Sequence, residues 1–195
     1  KLERLIGEVY VLLAEQEGTE LRDASEYSTL LNATARYGHA DVGLSVCMGD
    51  RDRGFSEAQR LLGQHRQNLV NGLKLVAEKG ITPLQSIQYF DAGDAILDTI
   101  VGIVAGMSFQ MADRSMPILA LARTEQGEVK VSARGTQDLV RSGLDLAEAM
   151  SSSARALGGV GGGHNVAAGA TIPSDAKQTF LELVDRAVGK QLSKK

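Results

Sequence analysis

Apolar residues recur at helical spacing through the first part of the chain. Leu5, Val9, Leu12 and Leu13 form one stripe, and Tyr27, Leu30, Leu31, Thr34 and Ala35 form a second. Leu62, Leu69, Val70, Leu73, Val76 and Ala77 form a third and longer one. Steps of three and four residues line one face of an α-helix. The segment from Asp41 to Asp50 separates the last two stripes and has room for a short helical turn. Lys79 and Gly80 then supply a cationic last turn and a glycine stop. Residues 1–82 are therefore expected to form a helical connector or partial domain. The first stripe starts with neither an initiating methionine nor an N-capping residue, which suggests a piece of a longer chain.

After Thr82-Pro83 the pattern becomes one of alternating elements. Ile87–Phe90 predicts a short strand, and Asp94–Met107, carrying Ile96, Leu97, Ile100, Val101 and Val104, predicts an apolar helix. Pro117–Arg123 and Glu128–Arg134 predict two strands joined as a hairpin across Thr124–Gly127. Asp138 is expected to cap a helix running to about Ala156. A glycine-rich loop follows, then a strand over Ala168–Ile172 and a closing helix from Ser174. The predicted order is β-α-β-β-α-β-α. It implies an α/β fold over residues 83–195, a mixed β-sheet flanked by helices.

The composition narrows the function classes. The chain has 195 residues, 43% of them hydrophobic, enough for a proper core. Its formal charge of −3 provides no global basic field for long nucleic acid, and at 4% aromatic content it has no stripe for stacking bases. The single cysteine, Cys47, excludes an internal disulfide framework and a thiolate cluster; it is expected to be a core thiol. No apolar run approaches the roughly 20 residues that cross a bilayer, so a soluble, cytoplasmic protein without a membrane partner is expected.

The chemistry concentrates in Gly161-Gly162-Gly163-His164. Consecutive glycines cost stability unless the backbone must bend sharply or approach a ligand. Bare N–H groups in such a loop donate to phosphate oxygens, and a histidine at its lip can donate a hydrogen bond or a proton. The alternative is a sharp helix-to-strand connection with an incidental histidine. Gly158 and Gly159 extend the bare segment. No Gly-Lys-Ser/Thr accompanies it as a P-loop would require, nor does it follow a strand as a dinucleotide fingerprint would.

In the strand Val129–Arg134, period-two alternation puts Lys130, Ser132 and Arg134 on a polar face and sends Val129, Val131 and Ala133 into the core. The flat guanidinium of Arg134 suits phosphate oxygens, so it could partner His164, or it could be a solvated strand-end charge. Asp50-Arg51-Asp52-Arg53 reads as a polar loop, and His39 and His65 as surface or helix-face residues. Asp91, Asp94 and Asp98 lie where negative charge suits the start of the apolar helix.

A strand ending Val-Ser-Ala-Arg, a helix, and then Gly-Gly-Gly-His-x-x-Ala-Ala-Gly-Ala resembles the DHHA1 domain, the C-terminal module of DHH-superfamily phosphoesterases and RecJ-type single-strand exonucleases. Leu30–Gly38, with Gly43 and Gly49-Asp50-Arg51, looks like the connector of archaeal RecJ-like proteins. The resemblance implies that Gly161, Gly162, Gly163 and His164 contact a substrate phosphate, that Arg134 binds it from the neighbouring strand, and that Ser132 assists. It implies single-stranded DNA or RNA, or a short oligonucleotide, as the partner. It also implies Mn2+ on a DHH domain whose Asp-His-His triplet this sequence does not contain, so the chain alone is expected to be inert. Some archaeal relatives bind the GINS complex without nuclease activity, which makes a replication scaffold the alternative. Val160 and Asn165 depart from the pattern and weaken the expected positive field.

Overall fold

The computed structural model describes residues 7–193. They form two compact units divided between Gln67 and Asn68. In the first unit, α1 (Ala24–Arg36) is capped by the Asp23 carboxylate, which accepts the amide hydrogens of Ser25 at 2.8 Å and Glu26 at 3.1 Å. Next come α2 (Ala40–Cys47) and the start of α3 (Arg53–Lys79). Leu21, Leu30, Ala33, Val46, Ala58 and Leu62 build a separate small core there.

Three expectations for this unit change. Leu5 lies outside the described residues, but Val9, Leu12 and Leu13 are exposed and not helical. Val11 forms an antiparallel bridge with Asp23, flanked by the Leu12 amide on the Arg22 carbonyl at 2.9 Å; Val9-Tyr10-Val11 is a β-branched and aromatic run that favours extension over helix. Cys47, at the end of α2, is exposed and not a core thiol. His65 is only 5% exposed, because α3 turns it inward beside Tyr37.

The second unit is built on a six-stranded mixed sheet in the order β1-β2-β3-β4-β6-β5. The strands are β1 (Thr82–Pro83), β2 (Gln88–Asp91), β3 (Ile118–Arg123), β4 (Val129–Arg134), β5 (Val160–Gly163) and β6 (Ala167–Ile172). Only β2 and β3 run parallel; the other neighbours are antiparallel. The helices are α4 (Val101–Met107), α5 (Gln137–Arg141), α6 (Leu146–Arg155) and α7 (Lys177–Leu192).

Each sheet face has its own core. Leu119, Leu121, Val131, Ala133, Ala168, Ala170 and Ile172 pack with Met150 of α6 and Phe180 and Val184 of α7. On the opposite face, Phe90, Ile118, Ala120 and Ala122 pack with Val101 and Val104 of α4 and Val76 of α3. The second half of α3 thus belongs with the sheet, and the two compact units divide between Gln67 and Asn68, ahead of Thr82-Pro83 where the periodicity changes.

The mixed α/β sheet with flanking helices matches the expected class, and local elements are redrawn. The apolar helix begins at Val101, not Asp94. Before it, Asp91 accepts the Gly93 amide and pairs with Lys177 Nζ at 2.6 Å, and Asp94 pairs with Arg123 at 3.6 Å. The helix expected from Asp138 to Ala156 is two helices, because Gly143 takes a φ of +107° that ends α5. Their caps are Thr136 and Asp145, while Asp138 pairs with Arg141. The glycine loop is itself the strand β5. No described helix is long and apolar enough to cross a membrane.

Candidate functional site

Directly opposed residues in a sheet point to the same face, so the strand registers assemble the site. Arg134 pairs with Ala167, Ser132 with Gly169, and Lys130 with Thr171. On the next strand, Gly169 pairs with Gly162 and Thr171 with Val160. The His164 amide donates to the Ala167 carbonyl at 2.8 Å, and the Ala167 amide donates back at 3.2 Å, which extends the ladder by one pair.

Three rows therefore cross β4, β6 and β5: Arg134–Ala167–His164, Ser132–Gly169–Gly162, and Lys130–Thr171–Val160. At a strand spacing near 4.8 Å, Arg134 and His164 stand roughly 10 Å apart along the first row.

Burial shows that this end of the sheet is open. Along β6, Ala168, Ala170 and Ile172 are buried, whereas Ala167, Gly169 and Thr171 are half-buried. On β5, Gly162 is exposed and Val160 is 78% exposed. The helix α4 covers the β2–β4 part of this face and stops over β4. A Cβ on Gly102 of α4 would lie 3.0 Å from Ser132 Oγ and 2.5 Å from an Arg134 guanidinium nitrogen. Arg134 Nη1 donates to the Ala133 carbonyl at 2.9 Å. The polar face of β4 is thus not simply solvated: Ser132 is 8% exposed, and Arg134 is half-buried at the margin of α4.

The three consecutive glycines do different work. Gly161 faces α6, where a Cβ would come within 2.7 Å of the Met150 carbonyl oxygen. Gly163 has a φ of +141°, and a Cβ there would lie 2.6 Å from Ala168 Cα. Gly162 has no such constraint, since a Cβ would meet nothing within 4 Å. The ladder thus brings His164, Arg134, Ser132 and Gly162 to one face and turns Gly161 and Gly163 towards the other. Because His164 and Ala167 are a hydrogen-bonded pair, alternation directs the N–H groups of Gly161 and Gly163 out of the free sheet edge. Gly158 and Gly159 end α6, the Gly159 amide bonding the Ala154 carbonyl at 2.9 Å.

The turn between β5 and β6 is fastened from outside. The Asn165 carbonyl accepts the amide of Leu146, the first residue of α6, at 3.0 Å, and the Val166 carbonyl accepts the Gly135 amide at 2.8 Å. The hairpin tip is therefore tied to both β4 and α6.

Sequence reasoning missed the contributions of Gly102, Ala167, Gly169 and Thr171. The signal was the small, alternating Ala-Ala-Gly-Ala-Thr-Ile of β6, which leaves one face without bulk. Among the described residues, no group of three or more His, Cys, Asp or Glu side chains could hold a metal.

Residues 85–190 match the DHHA1 domain. An uncharacterized protein of Methanocaldococcus jannaschii is 36% identical over 98% of this chain, which spans 40% of that relative's length. Among solved structures, RecJ of Thermus thermophilus in complex with Mn2+ is similar over 86% of this chain and 24% of its own, with a TM-score of 0.67 at 21% identity. An exonuclease RecJ bound to manganese is similar over 86% of this chain and 40% of its own, with a TM-score of 0.65 at 20% identity.

Proposed function

Because this chain belongs to the DHHA1 domain family, we propose that its open sheet face grips the phosphate and terminal nucleotide of single-stranded DNA or RNA, or of a short oligonucleotide. In this reading the chain is the substrate-binding portion of a RecJ-like phosphoesterase or exonuclease. The observation that carries it is the row Arg134–Ala167–His164, a cation and an imidazole on one face with only a methyl side chain between them. A guanidinium offers phosphate a planar fork of donors, and charge-assisted hydrogen bonds of this kind are the strong ones. The hydrolytic step belongs to a DHH domain with its own Mn2+, outside these residues. The net charge of −3 makes the grip local, so affinity should fall as salt rises.

The test is a fluorescence-anisotropy titration with a labelled short single-stranded oligonucleotide at low salt, comparing the wild-type chain with Arg134→Ala and His164→Ala. Saturable binding that weakens about tenfold or more in each folded variant supports the reading. Absence of saturable binding by wild type, or unchanged binding in both variants, overturns it.

A second reading, a non-catalytic scaffold that binds the GINS complex, draws on the exposed Leu44 and Met48, one helical turn apart at the end of α2. Association with purified GINS that Leu44→Ser and Met48→Ser abolish would favour it.

A further inference from the structure

The helices α6 and α7 share a furrow that the sheet core does not use. Both pack on the sheet through Met150, Phe180 and Val184, on the face opposite the Arg134–Ala167–His164 row, and the furrow of about 420 Å³ lies between them. Its α6 wall is low, because the residues there are Ser152 and Ala156, one helical turn apart and both exposed. Its α7 wall carries two rows. Leu183 and Ala187 are half-buried and form an apolar floor, while Arg186 and Lys190 are exposed and form a basic rim. Each pair is four residues apart, so each row runs along the helix with a rise of roughly 6 Å between its members.

The charge on the rim is uncompensated. Arg186 Nε donates to the Glu182 main-chain carbonyl at 3.3 Å, and neither Arg186 nor Lys190 reaches a carboxylate among the described residues. The acids of the same helix are committed elsewhere. The Glu182 carboxylate accepts Gln178 Nε2 at 2.9 Å, and Asp185 accepts the Ser86 and Ile87 amides. The third cation of α7, Lys177, is paired with Asp91 at the far end of the helix. A lysine in the last turn suits the helix dipole, which accounts for Lys190 by itself. Arg186 stands before that turn, where the dipole effect has fallen off.

An apolar floor with a cationic row at helical spacing selects among partners. A nucleic-acid strand would use the two cations and leave Leu183, Ala187 and Ala156 without a counterpart. An amphipathic helix uses both rows, because its ridge of side chains settles between two helices whose outer walls are low.

We propose that the α6–α7 furrow docks an acidic amphipathic helix of a partner protein, with apolar side chains on Leu183 and Ala187 and carboxylates at matching spacing on Arg186 and Lys190. The site is independent of the phosphate grip. Its occupant leaves the Arg134–His164 face open, so partner and nucleic acid bind together.

The experiment selects a phage-displayed library of short helical peptides, randomised on their exposed faces, against the wild-type chain. Enriched sequences are then made as fluorescein-labelled peptides and titrated by anisotropy. They are expected to carry Asp or Glu three or four residues apart beside large apolar anchors. The double charge reversal Arg186→Glu with Lys190→Glu should weaken them about tenfold, the scale of two surface ion pairs turned repulsive. The neutral pair Arg186→Gln with Lys190→Gln should weaken them about fivefold, which keeps the test available if the reversal disturbs α7. Ala156→Leu raises the low wall without touching a charge, and it should weaken them about as much with circular dichroism unchanged. The Gln pair should bind a labelled single-stranded oligonucleotide as wild type does.

No enrichment, or enrichment of peptides without acidic pairs, overturns the proposal. So does an enriched peptide that binds the folded charge variants as tightly as wild type. Displacement of the peptide by the oligonucleotide also overturns it, because the peptide would then occupy the open sheet face.

Discussion

Gly102 of α4 lies so close to Arg134 of β4 that a methyl group on its Cα would approach the guanidinium to 2.5 Å. The cation therefore lies against the helix, where the missing side chain of Gly102 leaves space for it. Gly102→Ala therefore sets two effects against each other. Alanine gains about 1 kcal/mol over glycine inside a helix, while its Cβ would displace the flexible tip of Arg134 and crowd the buried Ser132, with Oγ at 3.0 Å and Cβ at 3.2 Å. The expected outcome is a melting temperature within about 3 °C of wild type and an oligonucleotide affinity reduced about fivefold, part of the value of one charge-assisted contact. Thermal unfolding followed by circular dichroism and the anisotropy titration check the two arms.

Gly161→Ala should behave differently from any change at Gly162. Its Cβ would press on the Met150 carbonyl oxygen at 2.7 Å, a backbone atom inside α6 that cannot move alone. Crowding of that kind costs about 1–3 kcal/mol. A clear drop in the urea midpoint, with the slope of the transition unchanged, is the expected result.

Asp185 ties α7 to the sheet. One of its carboxylate oxygens accepts the amides of Ser86 at 2.7 Å and Ile87 at 3.0 Å, at the entry to β2. Hydrogen bonds to a charged acceptor are worth about 1.5–3 kcal/mol, so Asp185→Ala should lower stability by about 2 kcal/mol. Amide exchange at Ser86 and Ile87 should quicken more than exchange in β4.

His65 makes the first unit sensitive to pH. Burial, aided by the nearby Arg36 charge, holds its pKa below the ordinary 6.5, so the folded state favours the neutral ring. The unfolded chain binds the proton more readily. The stability contribution is therefore complete above pH 6.5 and is lost as pH falls from there through the folded value. Urea midpoints measured between pH 7.5 and 5.5 should fall with pH, and His65→Gln should flatten that dependence. Equal slopes in the two proteins would contradict the assignment.

The elements legible in the sequence were those with strong periodic patterning. The β3–β4 hairpin and α1 stand close to where their patterns put them, because apolar spacing and turn residues agreed. The pattern could not show that Val160–Gly163 is a strand, since three of its residues have no side chain to alternate; only pairing with β6 makes it one. It could not show the break at Gly143, where apolar spacing continues on both sides. The residue types of the site were visible, but their arrangement was not. Ser132, Gly169 and Gly162 are far apart in sequence and become neighbours only through the registers of β4, β6 and β5. His65 escaped because a histidine on a helix reads the same whether the helix turns it inward or outward.

The fastening of Asn165 and Val166 to Leu146 and Gly135 bears on the thermodynamics of recognition. A loop that stiffens only when a ligand arrives gives up conformational entropy at that moment, and affinity falls accordingly. Here the turn that carries His164 has already surrendered that freedom on folding. The ordering that remains falls on the ligand and on the ends of the His164 and Arg134 side chains, so a single-stranded chain with many conformations brings most of the entropic cost with it. Shortening or stiffening the ligand, with the protein left alone, is the change that would tighten the complex most.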